Sequence, residues 1–146
     1  MSAAPQQTPV PAQLTVGDVV AERSIALTRD TLVRYAGASG DFNPIHYRDD
    51  IAASVDLPGV IAHGMLTMGV AVQPVVDWAG DPSRVTDYQV KFTRPIVVDP
   101  QAGADVTIVA KVGALDVDAA TARIDLTVSF DSATVLGKAQ VVVTLA

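Results

Sequence analysis

One stretch limits the fold more than any other. Residues 59–76 read "GVIAHGMLTMGVAVQPVV", apolar on nearly every side of a helix, and four β-branched, alternating segments follow. A helix without a polar face has to be wrapped by a sheet, by a partner chain, or by both. Its length also suits a membrane span, but His63, Gln73 and Pro74 interrupt it, so a buried central helix and no membrane span is the expectation. With 49% hydrophobic and 18% charged residues, a chain of 146 residues can bury one core in one domain. Aromatics are only 5%, which leaves that core to Val, Ala, Leu and Ile.

The rest of the chain falls into place around this helix. "VVAERSIALT" (19–28) alternates as a strand, and Thr28 caps a short helix with Leu32, Val33 and Ala36 at helical spacing. Gly37 and Gly40 are expected to break that helix and open a loop; Asp49 and Asp50 begin a second short helix, and "DLPG" (56–59) turns the chain. The long helix begins near His63 or Gly64 and stops at Gly80 and Pro82. Strands are expected over 84–98, 104–115, 121–131 and 134–146, separated by the polar turns "DPQAG", "DVDAA" and "DSA". Four strands in succession pair most simply as an antiparallel meander. The class is α+β, with one long helix wrapped by a curved antiparallel sheet. Residues 1–13 read as a disordered N-terminal tail, and the domain runs over 14–146.

Charge and composition remove several function classes. A net charge of -6 gives no basic field for nucleic acid. The absence of cysteine removes disulfides and thiolate metal sites and makes the cytoplasm the expected compartment. Two histidines without a carboxylate cluster give no reason to expect zinc, and no glycine-rich phosphate loop or nucleophile elbow is present. Arg34, Arg48, Arg84, Lys91 and Arg94 are scattered and read as solvated faces, with one or two available to a carrier phosphate.

The chemistry concentrates in "YAGASGDFNPIHYRDD" (35–50). Asp41 and His46 stand five positions apart in a stretch stiffened by Asn43 and Pro44. Proton transfer needs two groups of different acidity in fixed positions, and histidine titrates near neutrality. An aspartate in an apolar cleft would move towards its neutral form. The same string also suits an Asx turn or helix cap, with the histidine satisfying a carbonyl. On the residues alone both readings stand. "AHGM" (62–65) adds to the first. Gly64 falls where the long helix begins, its N–H is unpaired, and it lacks a side chain that would keep a carbonyl away, as an oxyanion site requires. It also suits plain helix–sheet packing. His63 fits either a loop scaffold or a substrate contact.

These segments match a known pattern. "YAGASGDFNPIHYRDDIAA" resembles the signature of the MaoC-like and R-specific enoyl-thioester hydratase (hydratase 2) family, "IAHGMLTMG" is similar to its second element, and "VTDYQVKFTRPIVV" to the strand after the helix. The likeness runs from about Leu14 onward, and within the family it is nearest to the catalytic β-subunit type of mycobacterial (3R)-hydroxyacyl-carrier-protein dehydratase. The resemblance implies a hot-dog fold and interconversion of (3R)-3-hydroxyacyl and trans-2-enoyl thioesters. It places the catalytic aspartate and histidine at Asp41 and His46, the oxyanion glycine at Gly64 and the motif asparagine at Asn43; we read Asn43 as a loop organiser, with Ser39 and His63 as further loop support from their positions. It implies no metal and no cofactor, the pantetheine of CoA or acyl carrier protein being part of the substrate. It also implies a homodimer, or a heterodimer with a homologous hot-dog subunit. A catalytically silent hot-dog subunit and a hot-dog thioesterase are the rival readings.

Overall fold

The computed structural model describes residues 13–145. The expected tail therefore lies outside the described residues, apart from Gln13. The first strand, β1 (Val19–Leu27), leads into helix α1 (Arg29–Ser39). Thr28 and Thr31 form a reciprocal cap: each backbone N–H donates to the other's hydroxyl at 3.2 Å. Gly40, at φ 77°, ends the helix in the left-handed region. Gly37 stays inside it. A glycine weakens a helix by less than the turn-wide capping and packing that hold this one, so only the left-handed glycine terminates it.

A 3-10 turn over Pro44–His46 follows, then helix α2 (Asp49–Ser54) and the long helix α3 (Gly64–Ala79). Gly80, at φ 78°, closes α3 as expected. Strands β2 (Val85–Phe92), β3 (Ala104–Asp116), β4 (Thr121–Phe130) and β5 (Ala133–Thr144) complete the chain. The structure is α+β, a five-stranded antiparallel sheet in the order β1-β3-β4-β5-β2. Helix α3 touches all five strands. It buries Leu66, Thr67, Ala71, Pro74, Val75 and Ala79 against them, while Met65, Gly69 and Gln73 form an exposed stripe. Within one chain the sheet thus wraps only part of the helix. Val75, Ile108, Ile124 and Val141 are fully buried together, each such side chain contributing about 1.5–3 kcal/mol by leaving water. At 16 residues, α3 is not long and apolar enough to cross a membrane, and neither is any other described helix.

Two strand expectations change. β3, β4 and β5 form the meander, but β2 pairs with β5 at one edge, Val85 opposite Val143 and Phe92 opposite Leu136, and β1 takes the place beside β3. The segment expected as strand to residue 98 also ends at Phe92. Beyond it the chain leaves the sheet edge, with Pro95 unable to donate a ladder bond. It pairs instead with the approach to α3: Ala62 N–H donates to Ile96 O and Val98 N–H to Val60 O, both at 2.9 Å. That detour carries the chain from one sheet edge to β3, which a simple hairpin could not do.

Candidate active site

The loop after α1 is held by its own side chains. Asp41 N–H donates to Ser39 Oγ at 3.1 Å, Asn43 N–H to Asp41 Oδ1 at 3.2 Å, and Ile45 N–H to Asn43 Oδ1 at 3.2 Å. Each of these three residues satisfies the amide two positions on, the short-range habit of serine, aspartate and asparagine. Pro44 then starts the 3-10 turn that ends with His46. Asp41 therefore spends one carboxylate oxygen on the turn and leaves the other, Oδ2, 3.9 Å from His46 Nε2. The scaffold reading and the chemical one apply to the same side chain.

The surroundings of the pair are unequal. His46 is 7% exposed, whereas the Asp41 side chain is 51% exposed, so within this single chain no apolar cleft encloses the aspartate. The difference follows from the turn, which points Asp41 outward at the start of a surface loop. The Nδ1 of His46 lies 2.7 Å from the carbonyl oxygen of Ile61. His63, 1% exposed, precedes α3 directly. Its Nε2 is 3.2 Å from the carbonyl oxygen of Asp41. Its ring stacks on His46 with centroids 3.8 Å apart and planes at 23°, and Tyr35 meets it edge-on at 4.8 Å. Burial lowers the His63 pKa from 6.5, which keeps the ring neutral near pH 7.

Asp41, His46 and His63 place one donor atom each within 4.8 Å of one another, a group of three that sequence spacing did not disclose. Near-parallel rings direct their in-plane lone pairs side by side and do not converge on one ion, which suits stacking better than chelation.

Gly64 is the first residue of α3, as anticipated, and it lines a cleft of about 270 Å3 with Thr67, Phe92, Arg94, Ile96 and Leu136. The first N–H groups of a helix have no carbonyl a turn earlier and carry positive partial charge. A Cβ added at Gly64 would stand 3.1 Å from the Phe92 ring. Asp41 and His46 do not line this cleft. His63, adjacent to Gly64 in the chain, bridges the two. Sequence reading missed Phe92 because only the packing of β2 brings it to the helix start, and Thr67 because a threonine in the first turn of a helix carries no signal of its own. It also missed Arg29. That side chain donates from Nε to Val98 O at 2.5 Å and grips both Asp49 carboxylate oxygens, at 3.1 and 2.9 Å, holding α1, α2 and the 97–98 segment together.

A loop acid facing a buried imidazole, beside a glycine-led helix cradled by an antiparallel sheet, has counterparts among known proteins. A family model described as the MaoC like domain matches residues 12–129. The chain belongs to the MaoC-like family. A solved MaoC-like dehydratase superposes with a TM-score of 0.92 at 38% identity, covering 95% of this chain and 43% of that one. An R-hydratase from Pseudomonas aeruginosa gives a TM-score of 0.77 at 25% identity over 95% of this chain and 87% of the other. Among curated relatives, a 3-hydroxyacyl-thioester dehydratase of Mycobacterium tuberculosis is 34% identical over 79 residues, 54% of this chain and 27% of that protein. A fatty acid synthase β subunit of Schizosaccharomyces pombe is 40% identical over 77 residues, 50% of this chain and 4% of that protein. The MaoC-like domain thus spans about a quarter or less of the length of these two curated relatives. Its fold is the family's hot-dog fold, α3 lying against the curved sheet.

Proposed function

We propose that the chain is a hydro-lyase that interconverts a (3R)-3-hydroxyacyl thioester with a trans-2-enoyl thioester and water. The observation that carries this reading is the 3.9 Å separation of Asp41 Oδ2 and His46 Nε2 next to the α3 start at Gly64. In dehydration, His46 Nε2 takes the proton from the α-carbon. The thioester oxygen gathers the developing enolate charge at the Gly64 N–H. The C–O bond at the β-carbon then breaks, and the hydroxyl leaves as water with a proton from the Asp41 carboxyl group. Proton return from His46 to Asp41 across the gap resets the pair. Hydration runs the same steps backwards. Such positioned proton transfer supplies a rate factor on the order of 10²–10⁴, and an oxyanion donor on the order of 10²–10³.

No metal or redox group enters these steps, and the pantetheine arm of CoA or acyl carrier protein belongs to the substrate. The relatives' names support a place in fatty-acid metabolism; chain elongation is the role we assign within it, and the cysteine-free sequence supports a reducing compartment such as the cytoplasm. The exposed stripe Met65, Gly69 and Gln73 on an otherwise apolar helix supports a second hot-dog subunit, identical or homologous, as partner.

The test is product identity. The purified chain, incubated with a trans-2-enoyl-CoA, yields the (3R)-3-hydroxyacyl-CoA on chiral analysis and releases no free thiol. Thiol release identifies a thioesterase instead. A chain that forms no product alone, and whose complex with the homologous subunit keeps full activity when Asp41 is replaced by Asn, is the silent partner.

A further inference from the structure

His63 connects three parts of the site that come from different places in the chain. Its Nε2 donates to the Asp41 carbonyl at 3.2 Å. The other described hydrogen bonds of Asp41 reach only Ser39 and Asn43, two residues away on either side. His63 is therefore what ties the Asp41 main chain to the helix side of the fold. The face of its ring covers His46 at 3.8 Å, while Ile61 O holds His46 in its own plane. The carbonyl of His63 receives Thr67 N–H at 3.1 Å and Thr67 Oγ1 at 3.3 Å, which fixes the start of α3, and Gly64 is its chain neighbour.

Packing alone does not call for a histidine here. The His63 Nδ1 is buried with no hydrogen-bond partner among the described residues. A buried unsatisfied polar atom works against stability, and phenylalanine would fill the same space without one. What histidine offers and phenylalanine lacks is a donor for Asp41; what glutamine lacks is the flat face for His46. The charged and titratable groups facing the ring are Asp41, His46 and Tyr35. A neutral His63 leaves the positive charge that forms on His46 unopposed.

We propose that His63 is a positioning residue for the hydration reaction, its Nε2–H setting Asp41 and its ring face setting His46 so that carboxylate and imidazole meet in reacting register. The inference rests on the hydratase reading above.

Two substitutions separate its parts. His63→Gln keeps a donor near the Nε2 position and loses the face; His63→Phe keeps the face and loses the donor. Melting curves check that both fold. Each is expected to lower kcat by on the order of 10²-fold, the effect of a displacement of about 1 Å, with KM nearly unchanged. The chain has only two histidines, so in either variant the remaining imidazole 15N resonances belong to His46. They are expected to change from a single Nδ1-protonated ring to a mixture of tautomers or orientations. Wild-type kcat in both folded variants overturns the proposal, as does a lowered kcat with unchanged His46 resonances. If the native protein fails to hydrate enoyl thioesters, the hydratase reading falls by itself. The resonance measurement needs no substrate, and unchanged His46 signals in both variants then overturn the positioning role too.

Discussion

The Nδ1 of His46 and the carbonyl oxygen of Ile61 are 2.7 Å apart. A carbonyl only accepts, so the neutral imidazole carries its proton on Nδ1 and its lone pair on Nε2, the atom that faces Asp41. One backbone carbonyl, brought from 15 residues away, thereby selects the tautomer that can act as a base. His46→Asn keeps an N–H donor near the Nδ1 position and removes that base. Turnover of an enoyl thioester is expected to fall by on the order of 10²–10⁴ while the melting temperature stays close to that of the native chain. Steady-state rates and a thermal melt check both halves.

Gly64→Ala adds a methyl 3.1 Å from the Phe92 ring, at the wall of the 270 Å3 cleft. Phe92 is 55% exposed, so its ring can swing aside and the variant folds. The displaced ring and the new methyl narrow the approach to the helix N–H, and kcat/KM is expected to drop by about tenfold, or ~1.4 kcal/mol. Combining Gly64→Ala with Phe92→Ala should recover part of the loss. Kinetics of the single and double variants, read as a mutant cycle, check the coupling.

Stability should depend on pH through His63. Burial lowers its folded pKa beneath the ordinary 6.5. Above that value the ring is neutral in both states and the stability is fully present. Below it the unfolded chain binds a proton that the folded chain refuses, so stability falls as pH falls from about 6.5 towards the folded value. Urea denaturation at pH 7.5 and 5.5 is expected to show the lower midpoint at pH 5.5. His63→Phe should flatten the difference.

Two arginines offer a contrast. Arg29 reaches a backbone carbonyl through Nε and holds Asp49 with its two terminal guanidinium nitrogens, its side chain 20% exposed. Arg34 pairs with Asp30 one helical turn away, with both side chains mostly in water. Arg29→Ala should lower the melting temperature by at least about 3 °C, while Arg34→Ala moves it by no more than about 1 °C. Differential scanning calorimetry of the two variants decides.

What the sequence disclosed was local. The Asp41–His46 spacing, the Asn43–Pro44 turn and the Gly64 helix start are written within a few residues, so chain stiffness and capping rules reach them. The long apolar helix and the alternating segments likewise announced an α+β domain. Strand order was not legible. Val85 finds Val143, 58 residues on, because of how α3 and the Phe92–Ala104 detour lie in space. The same holds for the His46 bond to Ile61, the His46–His63 stack and the Arg29 clasp. Each needs the finished fold to bring its partners together. The exposure of Asp41 was not legible either, because a turn sets its direction before any cleft surrounds it.

The most direct test follows the ultraviolet absorbance of the conjugated trans-2-enoyl-CoA thioester with the native chain and with Asp41→Asn. The substituted side chain keeps an oxygen for the Asn43 N–H, so the loop is retained while the transferable proton is lost. Steady loss of the band is expected with the native chain, and a rate lower by on the order of 10²–10⁴ with Asp41→Asn. Equal rates for the two proteins would contradict the proposed mechanism.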